Sequence, residues 1–159
     1  MKKIAMAVAF VAVAAFSVAA MAQFGNLPTK IPTNASDAVD VVSKGASKAM
    51  IDQELKKAKC SFKNATSTEL TCNVKELSDK LAAIVKGAKE AKNWRVQITI
   101  TADKSAAKKD AMSSYDRGKS VRDQLQSGLA GAVTNKYWNY NIETTDNKGK
   151  NLLLSAQVD

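Results

Sequence analysis

The sequence contains no histidine, only two cysteines and only two prolines among its 159 residues. The absence of histidine removes the side chain that most often serves as a general base or a metal ligand. The chain also has no Gly-x-Ser-x-Gly nucleophile motif, no phosphate-binding glycine loop and no cluster of metal-ligand residues. Many acids are present, but no carboxylate pair is singled out by its position. We therefore expect a non-catalytic protein without a cofactor or a metal.

The longest apolar run lies at the start of the chain. Lys2 and Lys3 precede an apolar stretch at 4–18, and Ala20-Met21-Ala22 fits the small-x-small cleavage rule. This pattern is typical of a signal peptide at 1–22, and it predicts a periplasmic protein with no stable membrane insertion after cleavage. An uncleaved anchor is the alternative, which the short alanine-rich core disfavours. No cysteine follows the apolar stretch, which excludes a lipoprotein anchor.

Size and charge restrict the function further. Cleavage would leave about 137 residues, enough for one domain with a modest core, and would lower the net charge from +9 to +7. Such an excess of positive charge favours contact with anionic envelope polymers or lipid headgroups, and a solvated lysine-rich surface is the alternative. Export and the lack of clustered arginine-rich or aromatic-basic motifs argue against a nucleic-acid partner.

The two cysteines, Cys60 and Cys72, lie in short alternating segments. The apolar positions of these segments are Ala58, Cys60, Phe62, Leu70, Cys72 and Val74. Folding the chain about Thr66 places Cys60 opposite Cys72, so in an oxidising compartment a structural disulfide is expected around the polar loop 64–68. A redox-active pair would require Cys-x-x-Cys spacing or a nearby histidine, and the chain has neither.

Beyond a lead-in at 23–33, which holds both prolines, helical and strand patterns alternate. Helices are predicted at 36–57, 75–92 and 105–129, and strands at 94–102, 137–145 and 151–158, with a turn at 146–149. In the first helix Ser36 is the expected N-cap, and the expected apolar stripe comprises Ala38, Val41, Val42, Ala46, Ala49 and Met50. Gly118 is expected to face the sheet. Together these elements predict an α/β fold, specifically an α+β two-layer sandwich.

One stretch of the chain carries a more specific pattern. The strand ends in Ile100-Thr101-Ala102-Asp103, and the next helix contains Ser113-Ser114-Tyr115-Asp116-Arg117-Gly118, followed by Val121 and Leu125. This resembles the OmpA-like, peptidoglycan-associated domain family, whose hallmark is a strand ending in Thr-Asp and a helix reading Leu-Ser-x-x-Arg-Ala-x-x-Val. The resemblance covers 59–159 and implies the order βαβαββ, with an extra N-terminal helix at 34–58.

The resemblance implies a ligand for two of these residues. In the family, the equivalent Asp and Arg hold the ammonium and the carboxylate of diaminopimelate in the peptidoglycan stem peptide. Here they would be Asp103 and Arg117, with Ser114 beside them, so the resemblance implies a non-catalytic wall-binding module. A guanidinium can pair bidentately with a carboxylate. The chain departs from the family pattern in two places. Where the family has Gly-His-Thr-Asp, this chain has Ile100-Thr101-Ala102-Asp103, without the Gly and without a Thr directly before the Asp. The Gly-rich segment before the last strand is shortened to 146–150.

Each of these residues also has a structural interpretation. Asp103 could cap the following helix, Arg117 could be solvated or form a surface ion pair, and Ser114 could be a small residue facing the sheet. Tyr115 is expected in the core. An aromatic cluster of Tyr137, Trp138 and Tyr140 is either core or a platform for sugar rings. The alternative function is therefore an envelope protein–protein interaction module that keeps the scaffold and has lost peptidoglycan binding.

Overall fold

The computed structural model describes residues 34–88, 94–109, 111–129 and 136–159, so the predicted signal peptide and lead-in lie outside the described residues. The elements follow in the order α1 (Ala35–Ala58), α2 (Val74–Gly87), β1 (Trp94–Lys104), α3 (Ser114–Leu129), β2 (Lys136–Lys148) and β3 (Leu152–Val158). The predicted α/β class is confirmed, because three helices pack with one three-stranded mixed sheet.

β1 is the central strand of the sheet, with β2 parallel to it on one side and β3 antiparallel on the other. Its even-numbered residues form the middle of the core: Trp94, Val96, Ile98, Ile100 and Ala102 are each 0% exposed. The intervening residues are polar and more exposed, so one sheet face is covered by helices and the other faces solvent. The alternation predicted for this strand is therefore confirmed.

The first helix forms as predicted, but its cap and its buried face differ from the expectation. Asn34 is the N-cap, and its side chain accepts a hydrogen bond from the Asp37 amide at 2.8 Å, so the prediction of Ser36 was wrong. The buried residues are Ser47, Ile51 and Leu55. Met50, placed in the predicted stripe, is 52% exposed, because the helix turns the face that contains Ile51 and Leu55 towards the core.

The helix α2 begins one residue before the predicted start, with Asn73 as its N-cap, and it ends at Gly87 with Ala88 as its C-cap, so the predicted end at 92 was wrong. The predicted apolar positions Leu77, Leu81 and Val85 are buried. They lie four residues apart, so they share one face of the helix. This strongly periodic segment was therefore predicted well.

The helix α3 begins nine residues later than predicted, at Ser114. Its first turn is capped by Ser113, whose hydroxyl accepts from the Asp116 amide at 3.1 Å. Residues 105–109 are mainly small or charged side chains that would bury little apolar surface in a helix, and tertiary packing provides most helical stability. Asp103 lies within β1 and does not cap α3, so that interpretation was wrong.

The segment between α1 and α2 contains the predicted disulfide, Cys60–Cys72, with the two Cα atoms 4.9 Å apart. The expected first strand is reduced to a single antiparallel bridge between Phe62 and Leu70. The described elements therefore run α-α-β-α-β-β, and the order βαβαββ is not formed there. The Phe62 amide donates to the Lys150 carbonyl at 2.9 Å, which ties the disulfide loop to the turn between β2 and β3.

Candidate functional site around Arg117

The three predicted site residues come together at the carboxyl end of β1. Asp103 lies near the end of that strand, and Ser114 and Arg117 lie in the first turns of α3. The disulfide loop and the turn around Gly149 approach from two other sides. We call Asp103, Ser114, Arg117 and the backbone carbonyls that surround the guanidinium the Arg117 centre.

Arg117 is 0% exposed, and its guanidinium is surrounded by backbone carbonyls. Nη1 donates to Gly149 O at 2.6 Å, and Nη2 donates to Asn64 O at 3.0 Å and to Ser67 O. Longer contacts of 3.4–3.5 Å join Nη1 to the carbonyls of Ala65, Asp103 and Lys104. Six backbone carbonyls thus surround one side chain, and they come from the disulfide loop, the end of β1 and the turn at Gly149.

The remaining surroundings of the guanidinium are aromatic and anionic. Its central carbon lies 3.6 Å from the centroid of the Phe62 ring, and Nε has no hydrogen-bond partner within the described ranges. Burial lowers the pKa of Arg117, and the nearby charge of Asp103 raises it again in part. Arginine keeps its proton under such shifts. The carbonyl dipoles and the Phe62 ring therefore solvate a full positive charge that water does not reach.

Asp103 is only 2% exposed and is likewise satisfied internally. Its carboxylate accepts from Thr145 Oγ1 at 2.6 Å and from the Asn151 amide at 3.1 Å. A Cβ added to Gly149 would lie 2.7 Å from Oδ2 of Asp103, so a residue without a side chain is needed at that close approach. The carboxylate thus joins the end of β1 to the neighbouring ends of β2 and β3.

Ser114 and Gly118 dock α3 onto the same end of the sheet. Ser114 is 4% exposed, and its hydroxyl donates to the Thr145 carbonyl. Gly118 lies directly against Ile142, and an added Cβ would overlap that side chain. The prediction that Gly118 faces the sheet is confirmed. A serine and a glycine at these positions let the helix approach the strand closely enough for Arg117 to reach the loops.

The structure therefore places Asp103, Ser114 and Arg117 close together, as the sequence predicts, but their side chains are buried. The surface ion pair or solvated arginine considered for Arg117 is wrong, because its guanidinium is buried. A carboxylate ligand could reach the guanidinium only by displacing loop carbonyls that already accept its hydrogen bonds. Contact of Asp103, Arg117 and Ser114 with diaminopimelate stays a prediction.

Sequence reasoning missed the groups that complete the centre. Asn64 and Ser67 act through their carbonyl oxygens, so their side chains carried no signal of the role. Gly149 was noted only as part of a turn, although its carbonyl is also a partner of Arg117. The alternating pattern predicts that Phe62 faces inward, but it does not predict that the Phe62 ring lies against the Arg117 guanidinium.

The aromatic predictions have mixed outcomes. Tyr115 was expected in the core but is 51% exposed, with the Lys119 ammonium 5.3 Å from its ring centroid. Trp138 and Tyr140 are half-buried and pack against the core, as one of the two interpretations expected. Burial raises the pKa of Tyr140 to about 12. The platform for sugar rings stays a prediction, and the side chain of Tyr137 lies outside the described residues.

A second concave surface lies between α2 and α3. This groove has a volume of about 1250 Å³ and is lined by residues of both helices and by Thr68 and Met112. Its charged side chains already form ion pairs with one another: Lys75 with Asp79, Lys119 with Asp116, and Arg122 with Asp123. The charged side chains of the groove lining therefore neutralise one another in pairs.

Comparisons with protein-family models, with curated proteins and with solved structures find no match to this chain. The relationship to the OmpA-like family therefore stays a resemblance. None of the helices in the described part of the chain is both long enough and apolar enough for a membrane crossing.

Proposed function

We propose that the protein is an exported, non-catalytic interaction module of the cell envelope, in which Asp103, Ser114 and Arg117 hold the fold together. On this proposal the partner is bound elsewhere on the surface. The observation that carries it is the complete burial of Arg117 among six backbone carbonyls. On this proposal the domain keeps the residue types of a wall-binding site, but their side chains form hydrogen bonds within the fold and do not contact a ligand.

The loop that covers Arg117 is held in place by several independent restraints, which supports the proposal. The Cys60–Cys72 disulfide closes it, and the Lys63 amide donates to the Glu69 carbonyl at 2.9 Å within it. The Ala106 amide donates to Ala65 O at 2.7 Å, which joins the loop to the segment after β1. Moving the loop away from Arg117 would break the hydrogen bonds that its carbonyls accept from the guanidinium and from the Ala106 amide, at about 0.5–3 kcal/mol for each.

Binding of the peptidoglycan stem peptide by Asp103 and Arg117 remains the second candidate function. Asp103 and Arg117 are neighbours at one end of the sheet, which is the arrangement that the family resemblance implies. For this function the loop carbonyls of Asn64 and Ser67 would have to give way to the carboxylate of diaminopimelate. A titration with a stem peptide can distinguish the two proposals, because only stem-peptide binding requires the ligand carboxylate to replace these loop carbonyls at Arg117.

The test is a titration of the wild-type protein with a soluble stem peptide that contains diaminopimelate, followed by NMR of the arginine Nε–H resonances. We expect no saturable change at Arg117. Sedimentation with insoluble peptidoglycan should be weak and should disappear as salt is added, because only diffuse charge attraction remains. Saturable binding that is lost in a folded Asp103→Asn variant, and retained in an Asp123→Asn control, would overturn the proposal.

A further inference from the structure

The two outer strands of the sheet differ in what covers their edges. Along β3, the Ala156 amide donates to the Asp52 carboxylate of α1 at 3.1 Å. Just before β3, the Lys150 carbonyl accepts from the Phe62 amide at 2.9 Å. The helix α1 and the disulfide loop therefore cover the outer edge of β3. An uncovered sheet edge can pair with another chain, and a covering helix or loop is one way in which proteins prevent this.

The direction of the main-chain groups in β2 follows from the pairing of β1. Arg95 and Asp159 exchange both main-chain hydrogen bonds at 2.9 Å, so Arg95 and every second residue after it in β1 point these groups at β3. The residues between them point their amides and carbonyls at β2. Val96, for example, can bond only to the residues on either side of its Cα partner Trp138. The main-chain groups of the even-numbered residues at 138–144 therefore point away from the sheet.

This outer edge of β2 lacks the protection found along β3. The outward amides belong to Trp138, Tyr140, Ile142 and Thr144, and within the described ranges none of them donates a main-chain hydrogen bond. Proline and lysine are common at protected edges. The stretch 137–145 has neither, and its one charged residue is Glu143. The edge is therefore long, nearly uncharged and able to accept a further strand.

The helix above this edge exposes an aromatic side chain. The helix α3 packs on β1 and β2, with α2 along one flank. Gln124 lines the groove between α2 and α3, and Tyr115 precedes it by about two and a half turns, which places it on the opposite side of the helix. Tyr115 therefore lies on the flank away from α2, towards the open edge of β2, and is 51% exposed.

We propose that the outer edge of β2 pairs with the same edge of a second copy of this chain, so that the two sheets become one. Antiparallel pairing closes such a dimer with two-fold symmetry. Pairing about Asn141 sets outward main-chain groups opposite each other and places Tyr140 of each copy opposite Ile142 of the other. Pairs of an aromatic and a β-branched residue stabilise neighbouring strands. The inference rests on the proposed function, in which Arg117 is internal and the partner is bound elsewhere.

The charges of the strand favour a second copy as the occupant. In this register Asn141 lies opposite itself and Asn139 lies opposite Glu143, so no like charges meet on the solvent face. The whole chain carries a net charge of +9, and yet 137–145 contains no cation. Two copies can therefore approach along this strand without repulsion between facing lysines. The two helices α3 then lie on the same side of the joined sheet, with the flanks that carry Tyr115 towards each other.

The first test places a cysteine on the two-fold axis. In a non-hydrogen-bonded antiparallel pair the Cα atoms are about 4.5 Å apart, which is within the range of a disulfide. Asn141→Cys should therefore form covalent dimers on oxidation with copper phenanthroline, seen on non-reducing gels. The control Ser155→Cys places an exposed thiol on the same sheet face in β3 and should stay monomeric. Equal crosslinking of the two variants would overturn the proposal.

The second test measures dimerisation by sedimentation equilibrium in two lysine variants of equal charge. Asn141→Lys places two lysines opposite each other and should weaken the dimer roughly fivefold. Asn139→Lys places each lysine opposite Glu143 of the second copy and should strengthen it roughly fivefold. Equal weakening by both variants would overturn the proposed register. A wild type that stays monomeric up to about 1 mM would overturn the dimer itself.

Two further variants separate this edge from the rest of the surface. Thr144→Pro removes an outward amide and should weaken the dimer, whereas Met50→Ser alters an exposed apolar residue of α1 and should leave it unchanged. Loss of the dimer in Met50→Ser would overturn the assignment to β2. Circular dichroism establishes folding, which the exposed positions Asn139 and Asn141 should not affect. The stem-peptide titration reports on the proposed function independently, since all these variants leave Arg117 intact.

Discussion

Arg117 donates to the main-chain carbonyl of Asp103 at 3.4 Å, while the Asp103 carboxylate accepts from Thr145 and Asn151. Two opposite charges are thus buried side by side, and each is satisfied mainly by neutral groups. Burial of ions costs several kcal/mol unless hydrogen bonds replace the lost water. Here those hydrogen bonds come from loops and strand ends, so the pair stabilises the fold only while the loops stay in place.

Replacing Arg117 by alanine should lower the free energy of unfolding by about 3–5 kcal/mol, because six carbonyls and the Asp103 charge lose their partner. Arg117→Lys should also destabilise, since one ammonium cannot reach the carbonyls of all three segments. Urea unfolding followed by circular dichroism measures both. The control is Arg122→Ala, which removes an exposed ion pair with Asp123 and should cost less than 1 kcal/mol. Equal effects of the two alanine variants would contradict a buried anchoring role.

Removing the disulfide should weaken the fold without abolishing it. The bond closes a loop with a sequence separation of 12, so the Cys60→Ala/Cys72→Ala variant should lose about 2–3 kcal/mol. Unfolding with and without reductant measures the loss. Reductant should destabilise the wild type by a similar amount and leave the double variant unchanged. Two reactive thiols in the unfolded, unreduced wild type would contradict the bond.

Two glycine substitutions should have opposite effects. Gly149→Ala introduces a Cβ 2.7 Å from Asp103 Oδ2, so the turn or the carboxylate must move, at about 1–3 kcal/mol. Gly45→Ala adds a methyl group in the middle of α1 with nothing within 4 Å, and should stabilise by about 0.5–1 kcal/mol. Midpoints of thermal unfolding compare them directly. A stabilising Gly149→Ala would show that the close approach is absent.

Stability should fall in alkaline solution because of Tyr140. Burial raises the pKa of its hydroxyl from 10.0 to about 12, so between these values the unfolded chain releases the proton more readily. The contribution is fully present below pH 10 and is lost as pH rises towards 12, by at most about 1.4 kcal/mol per pH unit. Urea unfolding at pH 9, 10 and 11 measures the slope. Tyr140→Phe should reduce it, and an unchanged slope in that variant would contradict the assignment.

The elements that the sequence predicted well have dense periodic signals. Val96, Ile98 and Ile100 alternate in β1, and Leu77, Leu81 and Val85 repeat at helical spacing in α2, so local pattern and final burial agree. The start of α3 was predicted too early because alanine and lysine permit a helix at 105–109 without providing an apolar face to bury. Propensity alone does not fix such a boundary.

The site was predicted in part for a similar reason. Asp103, Ser114 and Arg117 were selected by residue type and spacing, and they do lie together. Their burial could not be predicted, because the partners of Arg117 are main-chain carbonyls, which every residue possesses. Only the tertiary arrangement of the loop at 64–67, the end of β1 at 103–104 and the turn at 149 determines which carbonyls converge.

One side chain links the disulfide loop, the end of β1 and the turn at Gly149, so these three segments should behave as a cooperative unit. Asn64 and Ser67 lie 53 and 50 residues before Arg117 in the chain, and Gly149 lies 32 residues after it. The disulfide holds the first of these segments on its own, whereas the turn at Gly149 is polar and relies on hydrogen bonds. Because all three segments bond to Arg117, a displacement of Arg117 breaks hydrogen bonds to all of them at once. We therefore expect the amides at this polar end of the domain to exchange with solvent as slowly as those of the core.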